Sequence, residues 1–109
     1  MLKTFPSVCA DPGVIRQVLS ESPELMVVSF VFEEEGAEGK PHCHPHVQST
    51  YCRSGRFRFT LESQSFEIAA GDCFVIPSNA RHGCVCLEPG ELIDGFTPRR
   101  DDFLEMMEV

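Results

Sequence analysis

Turn residues interrupt this chain about every eight to twelve positions. The segments between them are short and apolar, and rich in branched or aromatic side chains. Asp11-Pro12-Gly13, Ser22-Pro23, Ser54-Gly55, Glu62 to Ser65, Ala70-Gly71-Asp72, Pro77-Ser78-Asn79 and Glu88-Pro89-Gly90 supply the breaks. Such spacing leaves room for strands and turns, so it predicts an all-β sandwich or jelly-roll barrel. Expected strands run from Val14 to Leu19, Leu25 to Phe32, Gln48 to Arg53, Arg56 to Leu61, Phe66 to Ile68, Cys73 to Ile76, His82 to Leu87 and Glu91 to Phe96. Alternation is cleanest at Arg56 to Leu61, where Phe57, Phe59 and Leu61 share one face and Arg56, Arg58 and Thr60 the other. Met1 to Ala10 reads as an extended arm, and the acidic Glu33 to Gly39 as a solvated loop.

One helix is expected. Thr97-Pro98 offers a hydroxyl N-cap followed by proline at the first helical position, and Phe103, Leu104 and Met107 then fall on one face. The 109 residues form one domain, 1–109, small enough for a homodimer to add stability.

Charge and cysteine usage narrow the functional classes. The formal net charge is −8, and no basic stripe exceeds Arg99-Arg100, which argues against nucleic acid as a partner. The start has no apolar run of signal-peptide length, and no stretch approaches a membrane span. A cytoplasmic location is therefore expected, with the six cysteines as reduced thiols. Only Cys84-Val85-Cys86 is closely spaced, without the matching pair that a structural zinc site needs.

Chemistry concentrates in two segments. Three of the four histidines, His42, His44 and His46, alternate and are followed on the same parity by Gln48. On a strand, residues two apart project to one side. The fourth histidine, His82, lies far along the chain in another turn-bounded segment, placed to close a site from a distance. Four imidazoles in two such segments point to one divalent transition ion, with nickel, zinc, iron, manganese and copper all suited to imidazole.

The spacings resemble those of the cupin superfamily. Gly36, His42, His44, Gln48 and Gly55 match the first cupin motif, with glutamine where most cupins carry glutamate. Gly71, Pro77 and His82 match the second, with Asn79 in place of the usual glycine and Cys86 in place of the usual asparagine. This resemblance implies a cupin-type double-stranded β-helix with a short C-terminal helix, and the metal ligands His42, His44, Gln48 and His82. His46 becomes a neighbour of the site. The alternative pair His44 and His46 would leave the Gly36, Gln48 and Gly55 spacings unexplained. A neutral glutamine in place of glutamate leaves the full charge on the ion, which favours an anionic, oxygen-rich ligand.

The tail Asp94, Phe96, Pro98, Arg100, Asp102, Phe103, Leu104, together with the histidine run, resembles the small single-domain cupins of the KdgF pectin-degradation family. That family converts 4,5-unsaturated uronates into linear keto sugars. The resemblance implies that Asp94 shuttles a proton, Arg100 pairs with the sugar carboxylate, and Phe96 shapes the pocket. Arg56 and Arg58 are candidates for the pocket mouth. Val47, at a position often acidic in similar proteins, departs from the pattern, as does the abundance of cysteine. Two other functions fit the same motifs: a non-catalytic sensor of a sugar or metabolite, and an oxygen-consuming dioxygenase. A redox or zinc-storage role for the cysteines is a more distant alternative.

Overall fold

The structure, a computed structural model, describes residues 2–107. Eight strands and one short helix follow in the order β1 (Ser7–Asp11), β2 (Val14–Ser22), β3 (Leu25–Phe32), β4 (Glu38–His42), β5 (Val47–Leu61), β6 (Gln64–Ala69), β7 (Cys73–Ile76), β8 (His82–Thr97) and α1 (Asp101–Glu105). Pairing is antiparallel throughout, in the order β1-β2-β3-β8-β5-β6, with β4 joined to β8 and β7 to β5. This is an all-β jelly-roll barrel with a short C-terminal helix. Among the described residues no helix is long and apolar enough to cross a membrane.

Two long strands make the barrel. β5 and β8 pair along their whole lengths, from Val47 opposite Thr97 to Leu61 opposite His82. The first half of β5 pairs with β7 and the second half of β8 with β3, which forms one layer. Their other halves pair with β6 and β4 and form the second layer. The register shifts between Cys52 and Phe57, at the corner where both strands change layer.

That corner corrects two expectations. Ser54-Gly55 and Glu88-Pro89-Gly90 are bends inside continuous strands, not turns between strands. Gly55 has φ of +81°, which suits a bulge as well as a turn. A Cβ on Gly90 would sit 2.1 Å from the Ser54 carbonyl oxygen, and one on Gly55 would sit 2.6 Å from that of Glu88. The glycines mark where two backbones cross, and sequence alone cannot separate that from chain reversal.

Other boundaries also move. The arm expected as merely extended contains β1, paired to β2. Glu38 and Gly39 belong to β4, while Glu33 to Glu35 remain solvated. The helix starts at Asp101, with Arg100 at the N-cap and no side-chain cap bond. Thr97 is instead the extended last residue of β8, held opposite Val47, and its bond to Pro98 is cis. The expected helical face is present: buried Phe103, with Leu104 and Met107, packs on Val18, Met26, Val28 and Phe96.

A second core cluster fills the far side of the barrel with Phe32, Phe57, Phe59, Ile76 and Leu92. Phe57 and Phe59 point inward as their alternation predicts. Between the two clusters lies a group of buried polar side chains: His44, Gln48, Thr50, His82 and Asp94.

Candidate metal centre

The histidine run does not form one strand. β4 ends at His42 and β5 starts at Val47, so residues 43–46 form a loop. His42 and His44 converge through that loop and not through strand alternation. A second loop clamps it: the Asn79 backbone N–H donates to the His44 carbonyl at 2.8 Å, and the Ser78 hydroxyl to the Pro45 carbonyl at 2.6 Å. Asn79 itself has φ of +63°, a conformation that asparagine tolerates better than most residues and that explains its place where glycine is usual. Opposite stands His82, the first residue of β8, in register with His42.

The result is a three-histidine cluster. One ligand atom from each of His42, His44 and His82 lies within 4.8 Å of the others, a spacing one ion can satisfy. Each ring is oriented through Nδ1 by a carbonyl two residues away: His42 by Lys40 at 2.8 Å, His44 by His46 at 3.1 Å and His82 by Ala80 at 2.9 Å. A carbonyl oxygen can only accept, so these bonds favour the Nδ1–H tautomer and leave the Nε2 lone pair free at His42 and His82, while His44 has an acceptor oxygen facing each ring nitrogen. His82 Nε2 is buried with no partner. Burial also pushes the His82 imidazolium down to about 4 and lowers that of His44, which Arg100 depresses further. Neutral imidazoles with Nε2 lone pairs converging on one point suit a divalent ion.

Gln48, on β5, faces the same point. Its Oε1 lies 3.0 Å from His44 Nε2, and its amide nitrogen donates to Thr50 Oγ1 at 3.0 Å. His46 stays outside the trio, its ring 5.4 Å from that of His44. It supports the centre from beside it, packing edge-on to His44 and Phe96 and offering the carbonyl that orients His44.

Asp94 and Phe96 project inward from β8 beside this cluster, as their shared parity predicts. Asp94 Oδ1 is buried without a partner. Burial pushes its carboxyl up to about 7, while the Thr50 hydroxyl, the Gln48 amide and the Arg100 charge act the other way. Phe96 packs edge-on to His44, with ring centroids 5.7 Å apart. Arg100 lies over Phe96 at 5.1 Å, but its Nε and one terminal nitrogen already donate to Asp102, at 3.1 and 2.9 Å. Arg56 and Arg58 do not reach the site. They are held on the outer surface by Glu67, with Arg56 also paired to Glu88. None of the six cysteines is in a disulfide.

Two residues of this region carried no functional signal in the sequence. Thr50 could have been found from its parity with Gln48. Arg16 could have been found because it interrupts the inward parity of β2, between Val14 and Val18. A cavity of about 300 Å³ joins His42, Gln48, His82, Asp94, Arg100 and Arg16.

Known proteins resemble this chain in sequence and in fold. The family model described as cupin domain matches residues 28–96. The pectin degradation protein KdgF of Dickeya dadantii (strain 3937) is 39% identical over 94 residues, 84% of each chain. The structure of KdgF from Halomonas sp. superposes with a TM-score of 0.85 at 40% identity, covering 90% of this chain and 92% of that one. An RmlC-like cupin from Shewanella frigidimarina NCIMB 400 superposes with a TM-score of 0.86 at 38% identity, covering 91% and 88%.

Proposed function

The chain belongs to the cupin family, among relatives of KdgF, and on that premise we propose that it is a metal-dependent enzyme that opens and ketonises 4,5-unsaturated uronates from pectin or alginate breakdown. The observation that carries this reading is Asp94: a carboxyl with an unpartnered oxygen, buried in a cavity lined also by Gln48 and by His42 and His82 of the three-histidine cluster. His42, His44, His82 and Gln48 would hold one divalent ion, which supplies Lewis-acid polarisation of substrate oxygens without a protein carboxylate to offset its charge.

The chain's own groups account for the proton movements. Ring opening breaks the hemiacetal bond between C1 and the ring oxygen, as the C1 hydroxyl loses its proton and an aldehyde forms. The enol left at C5 becomes a ketone when C4 receives a proton. The reaction is an isomerisation, so one carboxyl that accepts and then donates a proton balances it. Asp94 is the group assigned that role, and burial raises its carboxyl above the usual carboxylate range. Phe96 and Phe103 wall the cavity against water, and Asp102 holds the Arg100 guanidinium over them.

The test is consumption of unsaturated galacturonate by metal-loaded protein, followed by loss of the enol-acid ultraviolet absorbance. Wild type should exceed the spontaneous rate, and Asp94→Asn should fall by at least about a hundredfold with metal content unchanged. Wild-type and variant rates that both equal the spontaneous one would leave a metabolite-binding cupin as the reading. Oxygen uptake with an iron-loaded sample would favour a dioxygenase.

A further inference from the structure

Arg16 is the buried charge that the proton chemistry does not use. It sits on β2 with 6% of its surface exposed, between two core valines. A guanidinium remains charged at any physiological pH, and burying one is costly unless acceptors meet it. Among the described residues, its one polar contact is a terminal nitrogen 3.7 Å from Met106 Sδ, a weak acceptor. The carboxylates that favour its charge, those of Asp102 and Asp11, act on it from beyond ion-pairing distance, while burial and Arg100 oppose it. No Arg16 nitrogen is both sealed from solvent and without a partner, and Arg16 lines the cavity.

Comparison with Arg100 sharpens the point. Both guanidiniums lie over the Phe103 ring, Arg16 at 4.2 Å and Arg100 at 4.1 Å. Arg100 spends two of its nitrogens on Asp102. Among the described residues Arg16 spends none of its nitrogens on an oxygen acceptor, and a planar fork matches a carboxylate with two parallel hydrogen bonds. Two carboxyl side chains line the cavity, Asp11 and Asp94, and among the described residues neither forms an ion pair with Arg16. The Phe103 ring favours a guanidinium held over its face.

We propose that Arg16 is a ligand-binding residue of this cavity, presenting an unpaired guanidinium fork that anchors a carboxylate of the bound molecule. The inference rests on the acidic-sugar reading of the same site and adds the residue that selects the acid. Its main competitor is a structural role, in which Arg16 ties β2 to α1 through Phe103.

Calorimetric titration of metal-loaded wild type, Arg16→Gln and Arg16→Lys with three probes separates the two. D-galacturonate and glutarate should bind Arg16→Gln at least tenfold more weakly than wild type. D-galactose, the neutral counterpart, should bind both alike, and Arg16→Lys should fall between because it keeps charge without the fork. The ligand-free Tm of Arg16→Gln should equal or exceed that of wild type, since an uncompensated buried charge is removed. Equal affinity of Arg16→Gln and wild type for the acids overturns the proposal. So does failure of wild type to bind either acid, and so does uniform weakening of all three probes with a lowered Tm, the signature of a structural tie. If acid binding depends on Arg16 while unsaturated galacturonate is not consumed, the ketonisation reading fails and the role of Arg16 stands.

Discussion

His44 Nε2 and Gln48 Oε1 face each other at 3.0 Å, while His44 Nδ1 faces the His46 carbonyl at 3.1 Å. A neutral imidazole has one N–H for these two acceptors, and Gln48 turns its amide nitrogen to Thr50. With the hydrogen on Nδ1, Nε2 and Oε1 are two acceptors that repel unless a cation binds both. Removing the ion should therefore destabilise the fold as well as silence the site. Dialysis against a chelator should lower Tm by several degrees, and added divalent metal should restore it. The expected size follows from mass action, about 2.7 kcal/mol when free metal is a hundredfold above its dissociation constant. His42→Ala, which removes one Nε2 donor and leaves the core intact, should show a Tm that no longer responds to the chelator.

Gln48→Glu should move metal and ligand affinities in opposite directions. The new carboxylate adds an anionic ligand and tightens metal retention in a chelator competition. It also cancels part of the charge offered to an acidic ligand. Titration with D-galacturonate should show roughly tenfold weaker binding, about 1.4 kcal/mol. Parallel changes in the two affinities would contradict the charge argument.

Glu91 ties the outer face of β8 to its neighbours. Its carboxylate accepts from the Ser29 hydroxyl and from Arg53, the latter at 2.5 Å. Burial opposes its charge and is the largest single influence. The two bonds nonetheless outweigh it and hold the carboxyl below its ordinary value. A depressed folded pKa contributes stability above the unfolded value, about 4.3, and loses it as pH falls through the folded value. Glu91→Gln should thus cost on the order of 1 kcal/mol at pH 7. Tm measured against pH should show the gap from wild type closing below about pH 4.

Gly90→Ala should be among the most damaging single-methyl additions in the chain. The added carbon would meet the Ser54 carbonyl at 2.1 Å, and backbone cannot step aside as a side-chain tip can. Denaturant unfolding should show a loss of more than about 3 kcal/mol. Gly71→Ala is the control: it meets nothing within 4 Å and incurs only the strain of its φ of +96°.

Much of the centre was legible because ligand chemistry is confined to few residue types. With four histidines, the spacing of His42, His44 and Gln48 and the distant His82 left little choice. The route by which they meet was not legible. A loop pinned by Ser78 and Asn79 brings His44 in, and such pinning depends on backbone bonds between segments remote in sequence. The corner glycines were misread for a related reason, because positive φ serves reversal and bulge alike. Arg100 was legible as a cation near the site, but its engagement by Asp102 was not, since an Asp two residues away is commonplace. Arg16 escaped because one arginine in an alternating strand looks like a solvated residue until the parity of Val14 and Val18 is known to face inward.

β8 carries His82 at its first residue and Asp94 and Phe96 near its last, folded back into one cavity by the bend at Gly90. The separation between imidazole and carboxyl is thus set by a single length of backbone and one corner, not by the lie of a loop. Insertions in the surface connections can accumulate without altering that separation, whereas one residue gained or lost within the strand would turn either group out of the barrel. The strand acts as a gauge bar for the chemistry. Changes in the surface connections should reshape the mouth of the cavity and leave the working distance inside it unchanged.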